Sequence, residues 1–202
     1  PSGLLEKSAR LKIVYGWVHA IGGQFRQART LINDLDNGER PELAGRVDAL
    51  RAFILRGEGS VDEALSVADR ALQAEELSTQ GQLVTQLVRS SALCAAGKFG
   101  DAREANRIAA RLAREAGDAG SEVLAVYAHA RIELGKGSLK HAEQLLRTGL
   151  DTAMNESSRP ARVGETRLQL NLVMVLWHQG RQAEADRLLV TCIRHAEQTR
   201  DL

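Results

Sequence analysis

The amino-acid sequence predicts an all-α fold, a right-handed α-solenoid of about five helix pairs. Three observations favour it: a short turn motif that recurs five times, intervals of 36 to 43 residues between successive copies, and apolar residues spaced three and four apart before each copy. Intervals of about 20–50 residues are typical of stacked supersecondary units, each of which buries its apolar face on its neighbours.

The recurring motif is a glycine, any residue, usually an apolar residue, two more residues and an alanine. Its copies are Gly23–Ala28, Gly59–Ala64, Gly97–Ala102, Gly137–Ala142 and Gly180–Ala185. Glycine ends a helix at low cost because the left-handed conformation disfavours a Cβ. The alanine is expected one turn into the next helix, where a small side chain lets two helix backbones approach. Each unit is therefore predicted to be a helical hairpin.

The predicted pairs, numbered 1 to 5, span residues 4–36, 42–76, 80–116, 121–154 and 163–199, within a single domain over 1–202. Positions within a pair are counted here from its turn glycine. Pro41 and Pro160 fall between pairs, where a helix is expected to stop.

The first helix of each pair carries a mostly apolar stripe at positions −12, −9 and −5, which predicts its buried face. The stripe consists of Leu11, Val14 and Val18; Val47, Leu50 and Ile54; Thr85, Val88 and Ala92; Ala125, Ala128 and Ile132; and Leu168, Asn171 and Val175. Position −7 is mostly small, with Gly16, Ala52, Ser90, Ala130 and Val173, as close helix packing requires.

Charge and composition exclude several classes of function. With 27 Lys and Arg against 26 Asp and Glu, the chain lacks the basic excess of a nucleic-acid-binding domain, so no direct nucleic-acid contact is predicted. Cys94 and Cys192 are expected to be free thiols in a reducing cytoplasm. No apolar run approaches the ~18–20 residues of a membrane span, and neither a signal peptide nor an initiator methionine is present. We therefore expect a cytoplasmic fragment of a larger protein, with no membrane contact.

The chain also lacks recognisable catalytic or metal-binding motifs. Its histidines have neither HExxH spacing nor a cysteine placed close enough to suggest a zinc cluster: His19, His129, His141, His178 and His195. The Gly135–Ser138 segment resembles part of a phosphate loop, but Ala130 stands where that motif needs a glycine. The sequence predicts no enzyme activity, no cofactor and no metal.

The repeat pattern resembles that of known proteins. The small residue at −7, the Gly-x-apolar-x-x-Ala turn and a second helix such as Ala64–Leu72 resemble tetratricopeptide (TPR) repeats. The longer, drifting interval, with Ala49–Phe53 leading into Gly59, resembles the helical sensor region of MalT-type activators, the large ATP-binding branch of LuxR-type transcription regulators. That resemblance implies an upstream nucleotide-binding module, a sensor for a small inducer or a regulatory protein, and a downstream helix-turn-helix that contacts DNA. The alternative is a stand-alone TPR scaffold for protein–protein interaction.

The resemblance also implies where a ligand or a peptide partner would bind. In TPR proteins the first helices line the concave surface, and the standard register places positions −13, −10, −6 and −3 there. The groove candidates at these positions are Arg46, Trp17, Phe53, Arg56, Tyr127, Arg131, Met174 and Trp177. Aromatic residues beside arginines suit a sugar, an acyl chain or a peptide. Because this chain carries mostly polar residues at −11 and −8, where the standard repeat is apolar, a second strip remains open: Arg51, Arg89 and His129.

Overall fold

The computed structural model describes residues 8–33, 35, 41–155 and 159–200, and within them it contains ten helices and no strand. The helices are α1 (Ala9–Ile21), α2 (Phe25–Asn33), α3 (Pro41–Glu58), α4 (Val61–Leu72), α5 (Thr79–Ala95), α6 (Phe99–Glu115), α7 (Ala119–Gly135), α8 (Leu139–Asn155), α9 (Arg159–His178) and α10 (Gln182–Arg200). Consecutive helices form the five predicted pairs, so the all-α prediction is confirmed.

The turn within each pair has the predicted geometry. The turn glycines Gly23, Gly59, Gly97, Gly137 and Gly180 have φ between 73° and 90°. In every pair the N–H at position +1 donates to the carbonyl at −4 over 2.8–2.9 Å, the hydrogen bond of a Schellman C-cap. The five turn alanines are at most 1% exposed. A larger side chain at these alanines would push the paired helices apart.

Several helix ends differ from the predicted ones. Pro41 is the first residue of α3 and Pro160 the second residue of α9, whereas both were expected between pairs. Proline fits the first turn of a helix because the N–H it lacks would have no intrahelical partner there. α2 ends at Asn33 and α4 at Leu72, each before its predicted end. Predicted residues 4–7, 34 and 36 lie outside the described residues.

The chain divides into two compact units, Pro1–Ala105 (unit 1) and Asn106–Leu202 (unit 2), with the boundary inside α6. The core of unit 1 is built on α1 to α5 around Ile32, Leu50 and Ala64. That of unit 2 is built on α7 to α10 around Leu146 and Leu168. A single domain over 1–202 stays a prediction.

The apolar stripe is confirmed in pairs 2, 3 and 5, whose nine stripe residues are all buried. In pair 4 Ala125 and Ile132 are buried and Ala128 is half-buried. In pair 1 the prediction is wrong, because Leu11, Val14 and Val18 are exposed.

The difference in pair 1 has a packing cause. In pair 2 the stripe of α3 packs on Ala28 and Ile32 of α2, the second helix of the preceding pair. Among the described residues no helix precedes α1, which instead buries Ala9, Ile13, Gly16 and Ala20. The small residue at −7 serves its predicted purpose there, since a Cβ on Gly16 would lie 2.6 Å from Leu50 Cδ2.

No helix in the described part of the chain is both long enough and apolar enough to cross a membrane.

Candidate functional site

The groove candidates of unit 1 are largely engaged with one another or with neighbouring side chains. The rings of Trp17 and Phe53 lie 5.3 Å apart at 59°, and both are half-buried against the core. Arg56 Nε donates to Ser91 Oγ over 3.1 Å, which joins α3 to α5. Arg46 is exposed on α3. The groove candidates of unit 1 therefore include no fully exposed apolar side chain.

The candidates of unit 2 are more exposed. On α7, Arg131 Nη1 donates to Tyr127 Oη over 3.3 Å, and its guanidinium carbon lies 5.9 Å from the Tyr127 ring centre. On α9, which packs beside α7, Leu170, Met174 and Trp177 are 42%, 49% and 59% exposed. Their spacing of four and three residues places them on one side of α9. These five residues are called the α7/α9 face.

The composition of the α7/α9 face is that of a protein contact surface. Aromatic residues, methionine and arginine are enriched at protein interfaces. Exposed apolar side chains that share one side of a helix form a continuous patch, whereas scattered ones carry no such meaning. Leu170 was not among the groove candidates, although it occupies position −10 like Tyr127. The same alignment on the turn glycine could have identified it.

The arginines of the second strip form ion pairs within unit 1. Arg51 Nη1 lies 3.0 Å from Asp48 Oδ1, and Asp48 also accepts from Arg70 Nε at 2.6 Å. Arg89 Nε donates to Asp69 Oδ1 over 2.7 Å. The Asp48–Arg70 and Asp69–Arg89 contacts link first to second helices, and Arg51 and Arg89 each have a carboxylate partner.

His129, the third residue of that strip, belongs to a cluster around a buried carboxylate in unit 2. Glu133 is 2% exposed, and its carboxylate accepts from Lys136 Nζ at 3.3 Å and lies 3.3 Å from His141 Nδ1. His129 Nε2 is 3.9 Å from the same carboxylate, and the two imidazole rings meet edge to face at 5.8 Å. Lys136 supplies the opposite charge that a buried carboxylate needs.

Two cavities occupy equivalent repeat positions, one in each unit. The α2–α4 pocket of unit 1 has a volume of about 270 Å³ and includes Ile32, Arg51 and Glu63. The α6–α8 pocket of unit 2 has a volume of about 450 Å³ and includes Asn106, His129 and His141 at the same positions, +9, −8 and +4. α2 and α4 have 9 and 12 residues, whereas α6 and α8 have 17 each, so the second pocket is bounded by longer helices.

Glu143 connects pair 4 to pair 5 through a network of charged side chains. It accepts from Arg181 Nη1 at 2.8 Å, Arg147 Nε at 2.9 Å and Gln179 Nε2 at 2.9 Å, and both arginines also bind Glu184. Burial favours the neutral form of Glu143, but these three hydrogen bonds together outweigh it and lower the pKa to about 2. Hydrogen bonds from Arg147 and Arg181 lower the pKa of Glu184 as well.

Metal and thiol chemistry have little support in the described residues. They contain no group of three or more His, Cys, Asp or Glu side chains able to hold a metal ion. Neither cysteine forms a disulfide within the described residues; Cys94 is half-buried and Cys192 buried, and burial raises the pKa of the Cys192 thiol.

Two solved structures resemble the chain, both of kinesin light chain-like proteins of Podosopora anserina with nearly identical TPR-like repeats. One, a single-substitution variant, is 19% identical with a TM-score of 0.65, and the match covers 96% of each chain. The other is 20% identical with a TM-score of 0.62, covering 94% of this chain and 95% of that one. No protein-family model matches the sequence, and no curated protein does. The likeness confirms the TPR-like solenoid fold class. It shows the fold alone, so function has to be argued from the surfaces described above.

Proposed function

We propose that this chain is a partner-binding TPR-like domain without catalytic activity of its own, and that its α7/α9 face binds a protein segment. The observation that carries the proposal is the row of exposed Leu170, Met174 and Trp177 beside the Tyr127–Arg131 pair. TPR-like folds commonly serve as scaffolds for protein interaction, which supports a protein partner.

The shape of the face favours an amphipathic helix as the bound segment. Apolar residues four and three apart form a ridge along α9, and such ridges suit the apolar side of a partner helix. Met174 can adapt its flexible side chain to the partner, and Trp177 supplies a large anchor of the kind that dominates binding energy. Arg131, exposed beside them, would pair with an acidic residue of that segment.

At a finer level, we infer that the domain is the cytoplasmic sensor region of a MalT-like regulator of the LuxR type. This inference rests on the turn motif and the drifting 36 to 43 residue interval. Nucleotide binding and DNA binding would belong to other modules of the same protein. A stand-alone TPR scaffold would bind its partner through the same face, so the parent gene distinguishes the two. A phosphate-loop module upstream and a helix-turn-helix downstream support the regulator; a short gene bounded by this domain supports the scaffold.

Site-specific photo-cross-linking in the source cells tests the partner surface. A photoreactive amino acid in place of Trp177 should capture one protein species, while the same amino acid in place of Val190 should not. Val190 is a suitable control because it is 55% exposed and apolar but lies on α10. The captured protein should then lose affinity for a purified Trp177→Ala domain by about tenfold or more and keep its affinity for Val190→Ala. Equal capture at both positions would contradict the proposal.

A further inference from the structure

The α6–α8 pocket of unit 2 carries an inference separate from the partner surface. We propose that this pocket binds a small, uncharged organic molecule that has an apolar body and a hydroxyl or N–H donor. Its volume of about 450 Å³ lies within the usual range of small-molecule sites, about 300–1,000 Å³. Buried polar groups in its wall and a departure from the repeat pattern support the proposal.

Asn106 supplies the polar group that such a ligand would satisfy. It is 5% exposed and lies in the pocket wall, and its Nδ2 donates to the Ala125 carbonyl over 3.0 Å. Its Oδ1 has no hydrogen-bond partner among the described residues. If the amide oxygen and nitrogen of Asn106 were exchanged, its oxygen would face the Ala125 carbonyl oxygen, and two acceptors cannot form a hydrogen bond. The Ala125 contact therefore identifies the Asn106 oxygen as the unsatisfied atom. A buried acceptor without a donor is costly, and a ligand donor would remove that cost.

The repeat pattern shows that position +9 does not require a polar residue for packing. At position +9 the other pairs carry Ile32, Ala68, Leu146 and Leu189. Position −4 departs in the same place: pairs 2, 3 and 5 carry leucine, and pair 4 carries the buried Glu133. Glu133 in turn contacts His141, which also lines the pocket. Asn106 thus lines the cavity directly, and Glu133 contacts a histidine that lines it. Departures from a folding pattern point to function.

The other wall residues define the ligand. Val123, Val126 and Leu145 provide apolar walls, which suit an apolar body. Arg114 and Glu122 line the pocket with one charge of each sign, and the two histidines of the lining, His129 and His141, lie beside the Glu133 carboxylate. The lining therefore favours neither sign of ion. Asn106 Oδ1 can only accept, so the ligand must donate. An uncharged alcohol, phenol or amide meets all three conditions.

The α2–α4 pocket is an internal comparison for this proposal. It has the same register, but Ile32 stands at +9 and Leu55 at −4, so its wall carries apolar residues where the α6–α8 pocket has Asn106 and Glu133 beside it. Without a buried acceptor it has no means to select a donor. We expect it to bind no ligand of this class.

The pocket also lies apart from the α7/α9 face. His129 lines the pocket, whereas Tyr127 and Arg131 belong to the face. None of the five residues of the α7/α9 face lines the pocket. The two surfaces thus use different side chains, and either proposal can fail without the other.

Phenol and anisole are suitable probes, because they differ mainly in the hydroxyl donor. Titration of each into the isotope-labelled chain, followed by NMR, should give saturable shifts of the Asn106 side-chain amide signal with phenol. Anisole should bind at least about tenfold more weakly than phenol, because it leaves Asn106 Oδ1 without a hydrogen-bond donor. Equal affinity for the two probes, or no saturable shift with phenol, would overturn the proposal.

Two variants and one control complete the test. Asn106→Leu should remain folded, since leucine occupies the same position in pairs 4 and 5, and should lose phenol binding by at least about tenfold. Thr148→Trp should also abolish binding by filling the pocket from its exposed rim, without altering the core. Ser66→Ala, in the α2–α4 pocket, should leave phenol binding unchanged. Phenol binding that survives both pocket variants would exclude this site.

Discussion

The first-helix faces of the two units carry the same repeat positions but expose them differently. At −6, Trp17 and Phe53 of unit 1 are both aromatic and reach across from α1 to α3, so each covers the other. In unit 2 the neighbour of Met174 at −6 is Arg131, whose guanidinium turns to Tyr127 instead. Met174 is 49% exposed. The comparison teaches that register alone does not decide between core and surface; the side chain at the same position of a neighbouring first helix contributes as well.

The substitutions with the largest expected effect test whether the buried turn contacts of the two units contribute equally to stability. Ala102→Leu in unit 1 and Ala142→Leu in unit 2 each force extra carbons into a fully buried turn contact. Each should lower the free energy of unfolding by about 3 kcal/mol. Urea denaturation followed by circular dichroism measures both. A loss in only one unit would show that the turn contacts are not equivalent.

Substitutions with a smaller expected effect compare the first-helix faces of the two units. Phe53→Ala should cost roughly 2 kcal/mol, because a half-buried ring and its contact with Trp17 are lost. Met174→Ala, in which an exposed side chain is shortened, should change stability by no more than about 0.5 kcal/mol. The same denaturation experiment compares them. If Met174→Ala lowered the free energy of unfolding as much as Phe53→Ala, the two faces would not differ in burial as we describe.

The smallest expected effect is the loss of stability of unit 2 at acidic pH, which we attribute to Glu143. The pKa of Glu143 is about 2 in the folded chain and ordinarily 4.5, so its network stabilises the fold fully above about pH 4.5. That stabilisation is lost as the pH falls from about 4.5 towards 2. Because Arg147 and Arg181 are partly exposed, we expect a contribution of roughly 1 kcal/mol.

Glu143→Gln should remove this part of the pH dependence. Denaturation midpoints at pH 6 and pH 3 should therefore differ less in the variant than in the unaltered chain. An unchanged difference would mean that other carboxylates carry the acid sensitivity. Asp151→Asn, an exposed substitution on the same helix α8, serves as the control.

The sequence predicted the pairs, the turns, three of the five buried stripes in full and a fourth in part, because these depend on contacts that repeat. Ala28 and Gly23 have counterparts in every pair, so their environment could be inferred from their recurrence. The exposed stripe of α1 could not be inferred this way, since its burial depends on a neighbouring second helix that the described residues do not provide before α1.

The candidate sites were harder to predict, because they depend on differences between repeats. Trp17 and Trp177 were both groove candidates, at −6 and −3, yet one stacks on Phe53 and the other is exposed. That outcome depends on side-chain reach across helices, which spacing does not report. Asn106 and Glu133, in contrast, were detectable as polar residues at positions that are apolar in most other repeats. Aligning the buried positions, and not the groove positions alone, would have located the α6–α8 pocket.

The placement of the two tryptophans has an optical consequence. Each unit carries one, Trp17 half-buried and Trp177 59% exposed on the α7/α9 face. Water relaxes around the excited state of an exposed indole and shifts its emission to longer wavelength, so the long-wavelength part of the emission comes mainly from Trp177. A collisional quencher such as acrylamide also reaches that exposed indole more often than the covered one. Occupancy of the α7/α9 face would shield that indole and shift its emission to shorter wavelength. The unlabelled chain is therefore its own fluorescent reporter of binding at that face.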